Sequence, residues 1–230
     1  MRARVPPAVV CPALFAVLFA ALFTAATLLM AVRHGAPLPP ERSAHEWSTA
    51  YVGEPLRSLA RALTATGTGP VPYLMAALAG LLAGARVLGR IRAVACAVAV
   101  LAVGQAVRYG LMGLLARPRP TVTDWAVSAT GHAWPSGHAT TAVLAAGILA
   151  WGIRHHARPG VARTWCTVLA LWAIGVGATR VLLGVHWPGD VLAGWLLGLT
   201  FLALAFLAEP FALHHRGTPL PPKSPAKQAD

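Results

Sequence analysis

The chain has 230 residues, of which 57% are apolar and only 11% charged, against roughly 25% charged in an ordinary soluble domain. A soluble core of this length cannot hide so much apolar surface, whereas lipid can. The 19 Lys and Arg against 7 Asp and Glu could suit nucleic acid, but they fall in short gaps between apolar runs. That is the membrane pattern, and it excludes a nucleic-acid partner.

In chain order, Arg2 and Arg4 precede an apolar stretch from Val9 to Val32. A signal peptide has a shorter apolar core, of about 7–15 residues. This run has the roughly 20 residues that a spanning helix needs, so it reads as a retained first span. Pro37, Pro39 and Pro40 end it. Residues 42–66 mix Arg42, His45, Glu46, Glu54, Arg57 and Arg61 with Trp47, Tyr51, Leu56, Leu59 and Leu63. Their spacings of three and four predict one amphipathic helix at the membrane interface. Further apolar runs place spans near 70–88, 92–115, 138–154, 164–184 and 190–208. Backbone in lipid must pair its own polar groups, so these are helices. The expected fold is all-α: a polytopic membrane bundle of six transmembrane helices plus the interfacial helix. Residues 1–209 form the membrane domain. The Pro- and Lys-rich stretch 210–230 is expected to be a disordered cytoplasmic tail. Gly80 and Gly84, like Gly194 and Gly198, have the GxxxG spacing that allows helices to pack closely. Cys11, Cys96 and Cys166 are widely spaced in apolar runs. They are expected to be buried thiols, forming neither a disulfide framework nor a zinc site.

With both termini cytoplasmic, Arg86, Arg90, Arg92, Arg154, Arg158 and Arg163 all fall inside, as do Arg216, Lys223 and Lys227 near the C-terminus. This obeys the positive-inside trend. Arg108, Arg117, Arg119 and Arg180 break it, because they lie at the outer ends of spans. Charge in or beside a span is costly and marks function.

Three segments meet at that outer face: Arg117-Pro118-Arg119-Pro120, Trp134-Pro135-Ser136-Gly137-His138, and the stretch from Arg180 through His186 to Asp190. Guanidinium forks match phosphate oxygens in pairs. Ser136 and Gly137 stand where a helix begins, and free N–H groups there attract phosphate. His186 and His138 can divide the roles of nucleophile and proton donor that a phosphate ester requires. Asp190, one helical turn beyond His186, can fix its tautomer and stabilise the cation that forms. Among the other histidines, His34, His45, His155, His156, His214 and His215 read as interfacial. No grouping of residues suggests a metal site or a cofactor.

These motifs resemble the signature of the type 2 phosphatidic acid phosphatases, the lipid phosphate phosphatases. That signature has a Lys-x6-Arg-Pro part, matched at Arg119-Pro120, and a Pro-Ser-Gly-His part, complete at 135–138. Its Ser-Arg-x5-His-x3-Asp part is matched at Arg180, His186 and Asp190, with Thr179 in place of serine. The resemblance implies His186 as the nucleophile that forms a phosphohistidine, Asp190 as its partner and His138 as the acid. It implies Arg119, Arg180, Ser136 and Gly137 as phosphate ligands, and a mechanism without metal. The family lysine is missing, and Met112 stands at its position. Arg108, one turn earlier on the same helical face, is expected to supply that charge, with Arg117 as a second substitute.

The expected activity is therefore hydrolysis of a lipid phosphate or diphosphate at the outer face of a bacterial cell membrane. Undecaprenyl diphosphate, phosphatidic acid and phosphatidylglycerol phosphate are the candidate substrates. A non-catalytic binder or transporter of lipid phosphates would use the same arginines, but has no need of a poised nucleophile and acid. A vanadate-type haloperoxidase has a similar pocket, but those relatives are mainly soluble. A phosphotransferase would share the same intermediate. A neutral nucleophile with a protonated acid predicts a bell-shaped pH dependence. Oligomeric state stays open.

Overall fold

A computed structural model describes residues 7–213, with side chains described from 12 to 208. Of the expected tail 210–230, residues 210–213 instead continue a helix; the rest of it, with His214 and His215, and the side chain of Cys11 lie outside the described residues. Eight α-helices occur among them: α1 (Pro7–Val32), α2 (Pro39–Tyr51), α3 (Glu54–Ala65), α4 (Pro70–Ala83), α5 (Val87–Leu115), α6 (Gly137–His156), α7 (Pro159–Leu182) and α8 (Pro188–Leu213). A single 3-10 turn lies at Val122–Asp124.

Each of the six apolar runs is a helix. Four of them, α1, α5, α7 and α8, are long and apolar enough to cross a membrane. The α4 helix has 14 residues, about 21 Å of rise, short of the roughly 30 Å hydrocarbon core. The α6 helix has the length, with 20 residues, but His138, Thr140, Thr141 and the Arg154–His156 end dilute its apolar character. It is enclosed instead by α4, α5, α7 and α8. Leu144 of α6 meets Leu101 of α5 and Val176 of α7 in one core, all three fully buried. Large apolar side chains such as Leu14, Leu74, Leu114 and Leu171 face outward, as suits helices whose surroundings are hydrocarbon.

The segment 42–66 departs from expectation: it forms two helices, α2 and α3, broken at Val52-Gly53. Pro55 in the first turn of α3 cannot continue a preceding helix, because it lacks the N–H and crowds the residue before it. Both helices lie against the bundle, α2 on α7 and α8, and α3 on α7. The cysteines also depart from expectation. Cys96 is exposed and Cys166 half-buried, the latter lining a cleft that α7 shares with α6 and α8.

Both GxxxG pairs seat helices closely. A Cβ on Gly80 would lie 2.3 Å from the Val94 backbone nitrogen of α5. One on Gly194 would lie 2.6 Å from the Ser136 carbonyl oxygen. The second approach matters for the site, since it presses the start of α8 onto the start of α6.

Candidate active site

The three motifs interlock through their backbones before any side chain is considered. The α5 helix ends at Ala116, whose φ of 45° lies in the left-handed region. Pro118 and Pro120 then prevent the helix from resuming. The Ala133 N–H donates to the Arg117 carbonyl at 2.9 Å, and the Ser136 N–H donates to the Asp190 carbonyl at 2.9 Å. The His186 N–H reaches back to the Arg180 carbonyl at 3.2 Å. Gly184, with φ of 72°, makes the turn between α7 and His186. A Cβ there would sit 2.5 Å from the Asp124 carbonyl.

His186 is buried, with its Nδ1 3.3 Å from Asp190 Oδ2 and its Nε2 2.8 Å from Arg119 Nη1. A guanidinium can only donate, so Nε2 is the acceptor and Nδ1 carries the proton toward Asp190. The network therefore assigns the tautomer in which the lone pair of Nε2 faces the arginines. Asp190 is fully buried. Its Oδ2 also accepts from the Trp187 N–H at 2.8 Å. Burial pushes the His186 pKa down to about 4; Asp190 pulls it upward, and Arg119 and Arg180 push it further down. The ring is thus neutral at physiological pH, as a nucleophile must be.

Arg119 is held in a cradle of carbonyls. Its Nε donates to Gly131 at 3.0 Å, its Nη1 to Val185 at 2.8 Å and its Nη2 to Thr130 at 2.9 Å. Burial lowers its pKa, Asp190 opposes that shift and Arg108 adds to it. Arg180 is buried, with Nη1 2.8 Å from Thr64 Oγ1 of α3. Arg108 is buried too. Its guanidinium lies over the Tyr109 ring, 3.6 Å from the centroid, and its Nη1 stands 3.2 Å from Met112 Sδ. Arg108 thus reaches along α5 to the position where the family lysine would stand. A Cβ on Gly137 would lie 3.0 Å from the Arg108 Cζ, so this guanidinium rests against the first turn of α6. Arg108 Nε, Arg180 Nε and Ser136 Oγ are buried without a hydrogen-bond partner. His138, in the same turn, is half-buried and feels the charges of Arg180, His186, Arg119 and Arg108.

Arg117 departs from its expected role as a phosphate ligand. It is 2% exposed and turned to the other side of Asp190, donating to Oδ1 at 2.6 Å. Glu41 of α2 takes its remaining reach, with Nη1 to Oε1 at 3.2 Å and Nη2 to Oε2 at 2.8 Å. Nε donates to the Gly35 carbonyl at 3.2 Å. Burial opposes its charge, but Asp190 and Glu41 outweigh that and raise its pKa. Removing one partner of such a buried pair typically costs about 3–5 kcal/mol.

Sequence reasoning missed three contributors. Glu41 and Thr64 lie far from the motifs, and nothing in their spacing marks them. His45, expected at the interface, is buried, with Nε2 3.0 Å from Asp124 Oδ2 and its ring tilted against Trp187 at 5.2 Å.

The family model described as the PAP2 superfamily matches residues 93–212, just over half of the chain. This chain belongs to the PAP2 superfamily. It is an integral membrane protein, and all the motif residues fall inside the matched stretch. Among PAP2-related sequences, it is 39% identical over 80 residues to phosphatidylglycerophosphatase B of Escherichia coli K12, covering 33% of this chain and 28% of that protein. It is 36% identical over 78 residues to an undecaprenyl-diphosphatase of Sulfolobus acidocaldarius, covering 33% of this chain and 34% of that one. The matched stretch thus spans only about a third of either relative. The PAP2 fold extends further. A transmembrane PAP2-type phosphatidylglycerolphosphate phosphatase from Bacillus subtilis superposes with a TM-score of 0.71 at 20% identity, over 87% of this chain and 97% of that one.

Proposed function

We propose that this protein is a lipid phosphatase that hydrolyses a phosphate monoester or diphosphate through a phosphohistidine, without a metal ion. The carrying observation is the His186 ring: Nδ1 faces the buried Asp190, while the lone pair of Nε2 meets the Arg119 guanidinium, with the charge of Arg180 also felt there. Arg119, Arg180 and Arg108 hold the phosphate, with Ser136 and Gly137 at the start of α6. Arg108 stands in for the family lysine. The unpartnered Arg108 Nε, Arg180 Nε and Ser136 Oγ support this reading, because a tetrahedral oxyanion offers each an acceptor or donor.

In the first step, the Nε2 lone pair attacks phosphorus and the bond to the lipid oxygen breaks. His138 gives its proton to that departing oxygen. Asp190 stabilises the cationic ring of the phosphohistidine. In the second step, His138 takes a proton from water, the water oxygen attacks phosphorus, and the P–N bond breaks to free phosphate and His186. Guanidiniums aimed at the equatorial oxygens stabilise the charge of both transition states.

The substrate class is a glycerophospholipid phosphate or a polyprenyl diphosphate, supported by the names of the two sequence relatives. Residues 1–209, with α8 carrying on to Leu213, form the phosphatase domain, followed by a tail. All six apolar helices cross the bilayer, α4 with the local thinning that a short span imposes, with both termini cytoplasmic and the site facing outside. The exposed Arg86, Arg90, Arg92, Arg154, Arg158 and Arg163 at the opposite end support that orientation. Purified protein in detergent with EDTA, given a panel of lipid phosphates, tests the reading beside its His186→Ala variant. Phosphate release that persists in EDTA and vanishes in the variant is expected. No release from any lipid that still binds would turn the assignment to a binder.

A further inference from the structure

Glu41 lies outside the stretch matched to the family and outside all three motifs, yet it touches the reaction centre from two sides. Its carboxylate grips Arg117 through both oxygens, and its Oε1 accepts from the Gly189 N–H at 3.0 Å. Gly189 immediately precedes Asp190. The Leu38 N–H fixes the other oxygen at 2.7 Å, at the start of α2 where Pro39 and Pro40 open the helix. Glu41 and Arg117 are both buried behind Asp190, so neither reaches a substrate.

We propose that Glu41 is a positioning residue of this centre: by neutralising Arg117, it leaves the charge of Asp190 available to the His186 ring. The inference rests on the phosphohistidine reading. Arg117 bonds Asp190 Oδ1 at 2.6 Å, closer than His186 approaches Oδ2 at 3.3 Å. Left alone, that guanidinium would cancel the carboxylate, and the ring would lose its counter-ion just as it becomes a cation. With Glu41 in place, the Glu41–Arg117–Asp190 set carries one net negative charge, delivered at His186. The other charges facing this ring are cationic or titratable: Arg119 from the loop after α5, Arg180 from α7 and His138 from α6. Asp190 is therefore its main source of favourable potential, and Arg117 alone would offset it.

The sign of the effect separates this role from a merely structural one. Glu41→Gln keeps the shape, and its single carbonyl oxygen can still accept from Gly189 or from Leu38 but not from both; it leaves Arg117 uncompensated. A cationic His186 becomes less favourable. Its protonation then moves to lower pH, while the step that makes the ring cationic slows. The variant should lose about tenfold in kcat with KM little changed, and its acid limb in kcat/KM should move down by about one pH unit. The double variant Glu41→Gln/Arg117→Gln removes the buried cation with its counter-charge. It should return the acid limb to the wild-type position or above and recover part of kcat.

The experiment pairs these pH–rate profiles, on a short-chain lipid phosphate in detergent, with an NMR titration of His186 in all three proteins. A Glu41→Gln protein that slows without any downward move in limb or titration, or a double variant that titrates below wild type, overturns the proposal. The double variant alone decides it should the single one not fold. If the wild type releases phosphate from no lipid, the phosphatase reading falls, and the His186 titration still decides whether Glu41 sets the potential at that ring.

Discussion

The two ends of this bundle use the same residue type in opposite ways. At one end Arg86, Arg90, Arg92, Arg154, Arg158 and Arg163 are all exposed. At the other, Arg108, Arg117 and Arg180 are buried and Arg119 half-buried. A solvated guanidinium costs the fold little and contributes little to it. A buried one must be answered by acceptors, by a carboxylate, or by an anionic ligand. The buried set divides along that line. Arg117 is answered by Glu41 and Asp190, and Arg119 by three carbonyls. Arg108 and Arg180 are only partly answered by the protein. The comparison teaches that a charge near a membrane span reports function through what remains unpaired around it, more than through its position along the helix.

The contrast can be broken most severely at His186, the proposed nucleophile. His186→Ala should reduce phosphate release by about 10⁴-fold or more, since loss of a nucleophile leaves only binding and electrostatic stabilisation. A radiolabelled phosphate donor should then no longer label the protein covalently. Arg180→Ala comes next, with an expected loss of about 10²–10³-fold in kcat, comparable to removing a preorganised oxyanion donor. Arg180→Lys should recover little of it, because a point charge does not reproduce the fork. Arg108→Ala should cost about tenfold or more in kcat/KM. Adding Met112→Lys to that variant should restore part of the loss, by returning a cation to the vacated place. An Arg108→Ala protein with unchanged kinetics would remove Arg108 from the site. At the exposed end, Arg158→Ala should change neither kcat/KM beyond about twofold nor stability beyond about 0.5 kcal/mol.

Acidity sharpens the same contrast. With the His186 pKa near 4, kcat/KM should fall about tenfold per pH unit below that value, as the lone pair is taken up by a proton. The alkaline limb is set by His138 in the substrate complex, where a bound phosphate anion offsets the surrounding guanidiniums, and it is read in kcat. Profiles corrected for titration of the substrate phosphate would reveal both limbs, and a rate flat from acid to alkaline pH would count against the two-histidine assignment.

Much of this was legible in the chain. Apolar runs locate six helices because lipid-facing surface must be apolar along its whole length. The Pro-Ser-Gly-His and Arg-x5-His-x3-Asp motifs locate the site because their members lie within a few residues of one another. The split between α2 and α3 is written only in Gly53 and Pro55, which a helical spacing of three and four overrides when read alone. The orientation of Arg117 is not written locally at all. It and Arg119 are separated by a single proline, and Arg117 turns away from His186 toward Glu41, a partner 76 residues away. Likewise, His45 reads as an interfacial histidine until Asp124, 79 residues on, supplies its partner.

The pairing of Arg117 also carries a consequence for how the protein is made. Its two carboxylate partners lie on opposite sides of it in the chain, Glu41 before and Asp190 after, separated from it by 76 and 73 residues. A chain emerging from its N-terminus first delivers Glu41 ahead of Arg117 and Asp190 well behind it. Arg117 can therefore enter the assembling bundle with a chaperoning carboxylate already present, while the nucleophile segment is still to be translated. Asp190 at the start of α8 reaches the proposed site only after Arg117 is already paired, so a chain stopped before α8 lacks the completed centre.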